Sequence, residues 1–150
     1  MTVEIVAAAA SDESDWRALW RAYCTFYQAD VPEEQTTRTW SRILDPDHTI
    51  NCLIARDSAG RMVGFATYLM HPSTWLDVGD CYLEDLFVAE DIRGGGVGRA
   101  LIFAVRDHAI AAGAERFYWN TDVGNDRARG LYDKITGGED GHVRYRMKLR

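Results

Sequence analysis

The sequence lacks several features that define large classes of proteins. It contains no run of about 18 apolar residues, which a membrane-spanning helix needs, and its N-terminal segment is acidic, unlike the basic start of a signal peptide. No repeat, linker or low-complexity segment interrupts the 150 residues. We therefore expect a single globular domain over residues 1–150, located in the cytoplasm and without a membrane partner.

Cysteine and histidine are few and scattered. The 3 cysteines stand at positions 24, 52 and 81, which fits neither a disulfide framework nor a zinc site with paired C-x-x-C ligands. The 4 histidines show no H-E-x-x-H spacing. We expect buried thiols and no bound metal.

Basic residues are fewer than acidic ones. The chain has 17 Lys and Arg against 23 Asp and Glu, which gives a net charge of -6 at pH 7. This balance disfavours nucleic acid as a partner, because phosphate backbones bind basic surfaces. The same negative field attracts a cationic substrate.

Hydrophobic periodicity is abundant, and it divides the sequence into strands and helices. Helical spacing of apolar residues starts at Asp12 and again at Pro32, and the second helix stops before Pro46. Further helices are predicted over 97–112 and after the N-cap residue Asn125. Strands are predicted over 3–8, 49–56, 61–70, 80–88, 115–121 and 142–149. The order β-α-α-β-β-β-α-β-α-β predicts an α/β fold that is largely antiparallel in its first half.

A glycine-rich turn joins a predicted strand to a predicted helix. Glycines let the backbone approach a ligand closely, and the first N–H groups of a helix have no intrahelical partner. With the helix dipole and two arginines, the turn predicts an anion-binding cradle, although a tight turn without a ligand is the alternative. The residues of this cradle are Arg93, Gly94, Gly95, Gly96, Val97, Gly98 and Arg99.

The spacing within this turn excludes the common phosphate motifs. A Walker loop needs Gly-Lys followed by Ser or Thr, and the dinucleotide pattern G-x-G-x-x-G fails in both registers. The spacing R-x-x-G-x-G, read as Arg93, Gly96 and Gly98, resembles the coenzyme A pyrophosphate loop of the GCN5-related N-acetyltransferase (GNAT) superfamily. The order of elements is similar over nearly the whole chain. The resemblance implies a mixed central sheet of about 6–7 strands flanked by about four helices, acetyl-CoA as cosubstrate, and a homodimer.

Two adjacent acids, Glu84 and Asp85, interrupt the otherwise apolar strand 80–88. Acids in a strand interior need partners or a cleft, so both are candidates for function, and a salt bridge at a wet strand end is the alternative. We expect their side chains on opposite faces, with Glu84 the better candidate for a base that deprotonates an amine. The run Y-L-E-D-L-F-V resembles the subgroup of spermidine/spermine, thialysine and yeast histone or D-amino-acid acetyltransferases, in which the matching Glu is the base, either directly or through a water molecule.

The resemblance implies further site residues. Main-chain groups of Leu86, Phe87 and Val88 would hydrogen-bond the pantetheine arm of the coenzyme. In the segment N-x-x-A-x-x-L-Y, Asn125 would contact the coenzyme and the Tyr132 hydroxyl would protonate the leaving thiolate. Taken alone, that segment favours a helix N-cap and a core tyrosine with a satisfied hydroxyl; its place after the glycine turn and the Glu84 strand favours function.

Candidate acceptor-binding residues are aromatic or acidic, because such a lining suits an amine through charge pairing and cation-π contact. Core packing for the aromatic residues and solvated helix ends for the acids are the alternatives. The candidates are Tyr27, Asp30, Glu33, Trp75 and Asp85.

The sequence thus predicts an N-acetyltransferase that moves acetyl from acetyl-CoA to a primary amine of a small molecule, such as a polyamine or an amino acid. The amine would attack directly in a ternary complex, with no acyl-enzyme. Three alternatives stay open: transfer of another acyl group, acetylation of lysine in proteins or histones, and a coenzyme A-binding sensor without catalysis.

Overall fold

The computed structural model describes residues 2–150. Over these residues it contains five strands and four α-helices, with one-turn 3-10 helices at Ala10–Asp12 and Glu90–Ile92. The strands are β1 (Glu4–Ala7), β2 (Asn51–Arg56), β3 (Met62–His71), β4 (Asp80–Val88) and β5 (Arg116–Trp119). The helices are α1 (Glu13–Phe26), α2 (Glu33–Leu44), α3 (Val97–Ala111) and α4 (Asp126–Thr136).

The strands form one sheet in the order β1-β2-β3-β4-β5. Neighbours are antiparallel as far as β4, whereas β4 and β5 are parallel, because α3 carries the chain back to the starting edge. This arrangement confirms the predicted α/β class. It also confirms the hairpin between β2 and β3, where Gly60 adopts a φ of +80°.

The chain forms two compact units. The first ends at Trp119 and holds the whole sheet with α1, α2 and α3, and the second runs from Asn120 to Arg150 and holds α4. No helix within residues 2–150 has the length and apolar character needed to cross a membrane.

Aromatic side chains of α1 and α2 cover one face of the sheet. The ring of Trp16, which is fully buried, lies 5.0 Å from that of Trp40 and 6.4 Å from that of Phe65. On the other face, Gly64 lets α3 approach β3, since a Cβ there would lie 3.1 Å from Leu101. The sheet is therefore packed on both faces, as a central strand such as β3 requires.

The four helices lie close to their predicted bounds. Pro32, where we predicted the second helix to start, is the N-cap of α2, and Glu33 is its first helical residue. Of the cysteines expected to be buried, Cys52 and Cys81 are buried and Cys24 is partly exposed.

The predicted strand over 142–149 is wrong. Residues 142–150 adopt no strand, and the alternating apolar side chains are exposed. The exposed fractions of Val143, Tyr145, Met147 and Leu149 are 75%, 92%, 81% and 85%. Alternation specifies a strand only where hydrogen bonds to a neighbouring strand and burial of one face accompany it, and residues 142–149 pair with no strand and have exposed side chains. The sheet consequently has fewer strands than the expected six or seven.

An ion pair with a buried carboxylate joins the first residues of β4 and β5. Arg116 donates from Nε to Asp80 Oδ1 at 2.7 Å and from Nη2 to Oδ2 at 3.0 Å, while the Asp80 side chain is only 5% exposed. Hydrogen bonds from Arg116 hold the pKa of Asp80 below its usual value. The carboxylate therefore stabilises the fold when it is ionised.

We expect Asp80→Asn to lower the free energy of unfolding by about 1–2 kcal/mol at pH 7. Because the pKa of Asp80 is depressed in the folded state, its contribution is present above the unfolded pKa, about 3.9, and is lost as the pH falls through the folded value. Urea unfolding at pH 7 and at about pH 3.5 measures the difference, which should shrink in acid. Asp107→Asn, at an exposed pair with Arg106, is the control and should change little. Equal losses at both pH values would contradict the electrostatic explanation.

Candidate active site

The glycine turn starts α3 without a side-chain cap. Gly96 is the N-cap residue with a φ of +84°, and Gly94 has a φ of +89°. A Cβ at Gly96 would meet no atom within 4 Å, so the space beside it is open. The first N–H groups of α3 have no intrahelical partner. This helix start fits a pyrophosphate, since oriented N–H groups and the helix dipole favour an anion.

Arg93 fastens the glycine turn to the end of β4. Its Nε donates to the main-chain oxygen of Val88 at 3.1 Å, and its guanidinium lies 5.1 Å from the ring of Phe26 and 5.3 Å from that of Phe87. The guanidinium of Arg99 stacks over Phe103 at 4.7 Å. Arg93 therefore keeps a positive charge beside the turn and also fixes the turn in place.

The second half of β4 has an open edge. Strand β5 pairs only with Asp80, Cys81, Tyr82 and Leu83 of β4, so the pairing between the two strands ends at Leu83. Residues 85–88 pair with β3 alone in the sheet formed by residues 2–150. The candidate pantetheine contacts Leu86, Phe87 and Val88 lie in this segment. An extended segment with one unpaired edge suits main-chain hydrogen bonds to an amide-containing arm.

A β-bulge places Glu84. Asp85 pairs with Thr67 of β3 and Leu83 pairs with Tyr68, so Glu84 has no residue opposite it. Leu83 therefore belongs to the face of Tyr68, whose ring lies 6.3 Å from His108 of α3, whereas Asp85 reaches α1 on the other face. The regular alternation that we predicted for Glu84 and Asp85 is wrong at the bulge. Leu83 and Asp85, two residues apart, lie on opposite faces of the sheet, whereas regular alternation would put them on the same face. Bulges commonly re-aim side chains next to active sites.

The two carboxylates differ in environment. Glu84 is exposed, whereas Asp85 is partly buried and accepts a hydrogen bond from the Tyr23 hydroxyl at 2.7 Å and another from the Thr67 hydroxyl. Burial raises the pKa of Asp85, and the hydrogen bonds from Thr67 and Tyr23 oppose that rise. Glu84 is thus exposed to solvent where the pairing of β4 with β5 ends, while Asp85 is held by hydrogen bonds from Tyr23 and Thr67.

Sequence reasoning missed an aromatic cluster beside Glu84. Tyr118 of β5 pairs with Tyr82, the two rings lie 4.9 Å apart, and the Tyr118 hydroxyl is 2.7 Å from Nε2 of His71. Burial, followed by the charge of Asp80, raises the pKa of Tyr118, and Glu84 adds a smaller contribution. No local signal identifies these residues, since only the pairing of β4 with β5 brings them together.

The acceptor candidates are dispersed. Asp30 and Glu33 line one shallow pocket of about 170 Å³ at the junction of α1 and α2, and Glu33 is paired there with Arg17 at 2.6 Å. Tyr27 is 42% exposed and its ring lies 5.0 Å from that of Tyr23, the partner of Asp85. Trp75, which is 86% exposed, lies in the loop between β3 and β4. The structure thus relates Tyr27 to Asp85 and Asp30 to Glu33, and leaves Trp75 apart from them.

In the second unit, Asn125 caps α4 as predicted. Its Oδ1 accepts a hydrogen bond from the main-chain N–H of Ala128 at 3.3 Å. Tyr132 lies in the same helix and is partly buried. Its position seven residues along, about two turns, places it on the same side of α4 as Asn125. The spacing expected from the resemblance is therefore present on a helix.

The chain belongs to the acetyltransferase (GNAT) family, whose model matches residues 16–137. It is an acetyl-CoA-dependent N-acetyltransferase, and acetyl-CoA is its cosubstrate. Among residues 2–150, no group of three or more His, Cys, Asp or Glu side chains is arranged to hold a metal ion.

Two curated relatives and one solved structure illustrate the relationship. The chain is 37% identical over 134 residues to the D-amino-acid N-acetyltransferase HPA3 of Saccharomyces cerevisiae, covering 89% of this chain and 83% of the relative. It is 30% identical over 149 residues to the uncharacterized N-acetyltransferase YhfO of Bacillus subtilis, covering 98% of each. An aminoglycoside N-acetyltransferase solved with coenzyme A shares the fold, with a TM-score of 0.84, 21% identity, and coverage of 99% of this chain and 96% of that one.

Proposed function

We propose that the protein acetylates a primary amine of a small molecule by direct attack in a ternary complex. The observation that carries this proposal is the position of Glu84, an exposed carboxylate at a bulge where β4 parts from β5. A carboxylate there is suited to take the proton of an ammonium group entering from solvent. We propose that residues 1–150 act as one catalytic domain.

The open edge of β4 and the glycine turn supply the donor side of this proposal. Main-chain groups of Leu86, Phe87 and Val88 bind the pantetheine arm, and an N–H group among them polarises the acetyl carbonyl. Residues 93–99, with Asn125, bind the pyrophosphate end. Glu84 accepts the proton of the attacking amine, and the hydroxyl of Tyr132 protonates the thiolate that leaves.

Direct attack is favoured over an acyl-enzyme by the state of Cys81. This thiol is fully buried, and burial raises its pKa to about 11. The thiolate is the nucleophilic form of cysteine, so at neutral pH this side chain is protonated and enclosed. Direct attack by an amine near the exposed Glu84 needs no cysteine thiolate.

The acceptor side takes its proposed contacts from Tyr27, Asp30, Glu33, Trp75 and Asp85. Two relatives with this domain are named for amino-acid substrates, D-amino acids for the yeast relative and thialysine for the mouse relative. Amino acids and polyamines are therefore the first acceptors to test. Release of the coenzyme A thiol, followed with a panel of D-amino acids, thialysine, spermidine and lysine peptides, tests the substrate class.

Turnover of free amines above peptides would support the proposal. Preference for lysine peptides would overturn it in favour of protein acetylation. Binding of coenzyme A without turnover on any amine would favour a sensor. Faster turnover with propionyl-CoA than with acetyl-CoA would favour another acyl group as the one transferred.

Tyr132→Phe is expected to lower kcat by about 10²-fold with an unchanged KM for acetyl-CoA, because the thiolate then leaves without a proton donor. Steady-state kinetics with the best amine of the panel measures both constants. Ser58→Ala removes a hydroxyl from an exposed residue of the β2–β3 turn and serves as the control. A Tyr132→Phe enzyme with the kcat of the control would remove Tyr132 from the mechanism.

We also propose that the protein acts as a homodimer. The exposed alternating side chains of Val143, Tyr145, Met147 and Leu149 support this, because a second copy would remove them from water. Light scattering in solution should then give twice the 17.0 kDa of one chain. A mass of one chain at micromolar concentration would refute the dimer.

A further inference from the structure

The carboxylate of Asp85 is anchored from two elements, yet the proposed mechanism assigns it no chemical step. Its Oδ1 accepts a hydrogen bond from the Tyr23 hydroxyl of α1 at 2.7 Å, and its Oδ2 accepts one from the Thr67 hydroxyl of β3. The ring of Tyr23 is itself held in edge contacts by Phe65 and Phe87, each at 5.8 Å. Asp85 is therefore fixed in position by groups that are themselves fixed.

The bulge brings the charges of Glu84 and Asp85 into one neighbourhood. Without it, consecutive residues of β4 would point to opposite faces of the sheet. With it, both carboxylates act on the same phenol, since burial and the charges of Asp85 and Glu84 raise the pKa of Tyr23. A negative charge near a carboxylate disfavours the ionised form of that carboxylate.

The other titratable groups that interact with the pair are phenols and thiols. They are Tyr23 and Cys24 of α1, Cys52 of β2 and Tyr118 of β5. Burial is the largest cause of the raised pKa values of Tyr23, Cys24, Cys52 and Tyr118. Within residues 2–150, no arginine or lysine contributes to the pKa of Asp85.

We propose that Asp85 is a positioning residue: hydrogen bonds from Tyr23 and Thr67 hold its carboxylate beside Glu84, and its negative charge makes Glu84 the stronger base. This inference rests on the proposed role of Glu84. A base whose pKa lies nearer the working pH takes a proton more effectively in the transition state. The hydroxyl donors favour the ionised form of Asp85 and oppose the effect of its burial.

Asp85→Asn tests the proposal, because it keeps the size of the side chain and removes its charge. We expect the acid limb of the kcat/KM profile to move to lower pH by about half to one unit, with a several-fold lower plateau. The acceptor is the better of D-alanine and spermidine, at saturating acetyl-CoA. The pKa of the acceptor amine is the same for every variant, so a moved limb reports a group on the enzyme.

Tyr23→Phe provides a second variant that keeps the Asp85 carboxyl group and removes one of its donors. Losing that donor raises the pKa of Asp85, so the group is ionised to a smaller extent, and the acid limb should move to lower pH, as in Asp85→Asn but by less. Circular dichroism and the melting temperature show whether each variant is folded. If Asp85→Asn does not fold, the direction of the Tyr23→Phe shift decides the question.

Lower rates at every pH with both limbs unmoved would assign Asp85 a structural role alone and overturn the proposal. Glu84→Gln is measured alongside to separate the two hypotheses. If Glu84→Gln keeps the parental rate, the proposed function of Glu84 fails and the role of Asp85 fails with it. If Glu84→Gln is inactive but the limbs of the other variants do not move, only the role of Asp85 fails.

Discussion

Glu84→Gln should lower kcat by about 10²–10³-fold while leaving the Kd of acetyl-CoA within about twofold of the parental value. Glutamine keeps the size of the side chain at the bulge but cannot accept the proton of an attacking ammonium. The substitution leaves unchanged the groups proposed to bind acetyl-CoA, which are the edge of β4 and the glycine turn. Steady-state kinetics measures the loss of turnover, and calorimetric titration with acetyl-CoA measures the affinity.

Glu4→Gln is the matched control, because Glu4 is an exposed acid on β1, at the edge of the sheet opposite to β5. It makes the same chemical change far from the proposed site and should leave kcat unaltered. A Glu84→Gln enzyme as fast as this control would remove the base from the mechanism. A large loss of acetyl-CoA affinity would instead assign Glu84 to donor binding.

Much of the fold was predictable because its determinants are local. The helical spacing of Trp16, Trp20 and Tyr23 predicts α1 from a few turns of sequence, and Gly60 marks the hairpin turn. The glycine turn before α3 was predictable for the same reason, since three glycines between a strand and a helix form a continuous signal. The failed strand over 142–149 shows the limit of such patterns. Its alternation is real, but a strand also needs a partner edge, which no local pattern supplies.

The arrangement of the carboxylates could not be read from the sequence, because it depends on register. Glu84 is the bulged residue only because Thr67 and Tyr68 pair with Asp85 and Leu83. The donor to Asp85, Tyr23, lies 62 positions away in sequence. Sequence reasoning found the two acids but gave them opposite faces, since alternation is the default for any unbroken strand.

Gly96→Ala should raise the KM for acetyl-CoA at least about tenfold, with kcat at saturating acetyl-CoA within about threefold of the parental value. Gly96 has a φ of +84°, where an L-residue is strained, and the added Cβ would enter the open space at the start of α3. In our proposal that space receives the pyrophosphate, so the methyl group and the shifted N–H groups both weaken anion binding. The reacting groups around Glu84 are unaltered, which is why turnover should survive once acetyl-CoA is saturating.

Gly60→Ala separates this effect from backbone strain. Gly60 has a φ of +80°, and a Cβ there also meets nothing within 4 Å, so the conformational penalty of alanine is closely matched. It lies in the β2–β3 turn rather than at the start of α3. Both variants should lose similar stability, about 1 kcal/mol by urea unfolding, and only Gly96→Ala should change the KM. If both raise the KM equally, global destabilisation explains the effect and the glycine turn is not the pyrophosphate site. If only Gly96→Ala raises it, the conformation is tolerated and the lost affinity belongs to the space that the methyl group fills.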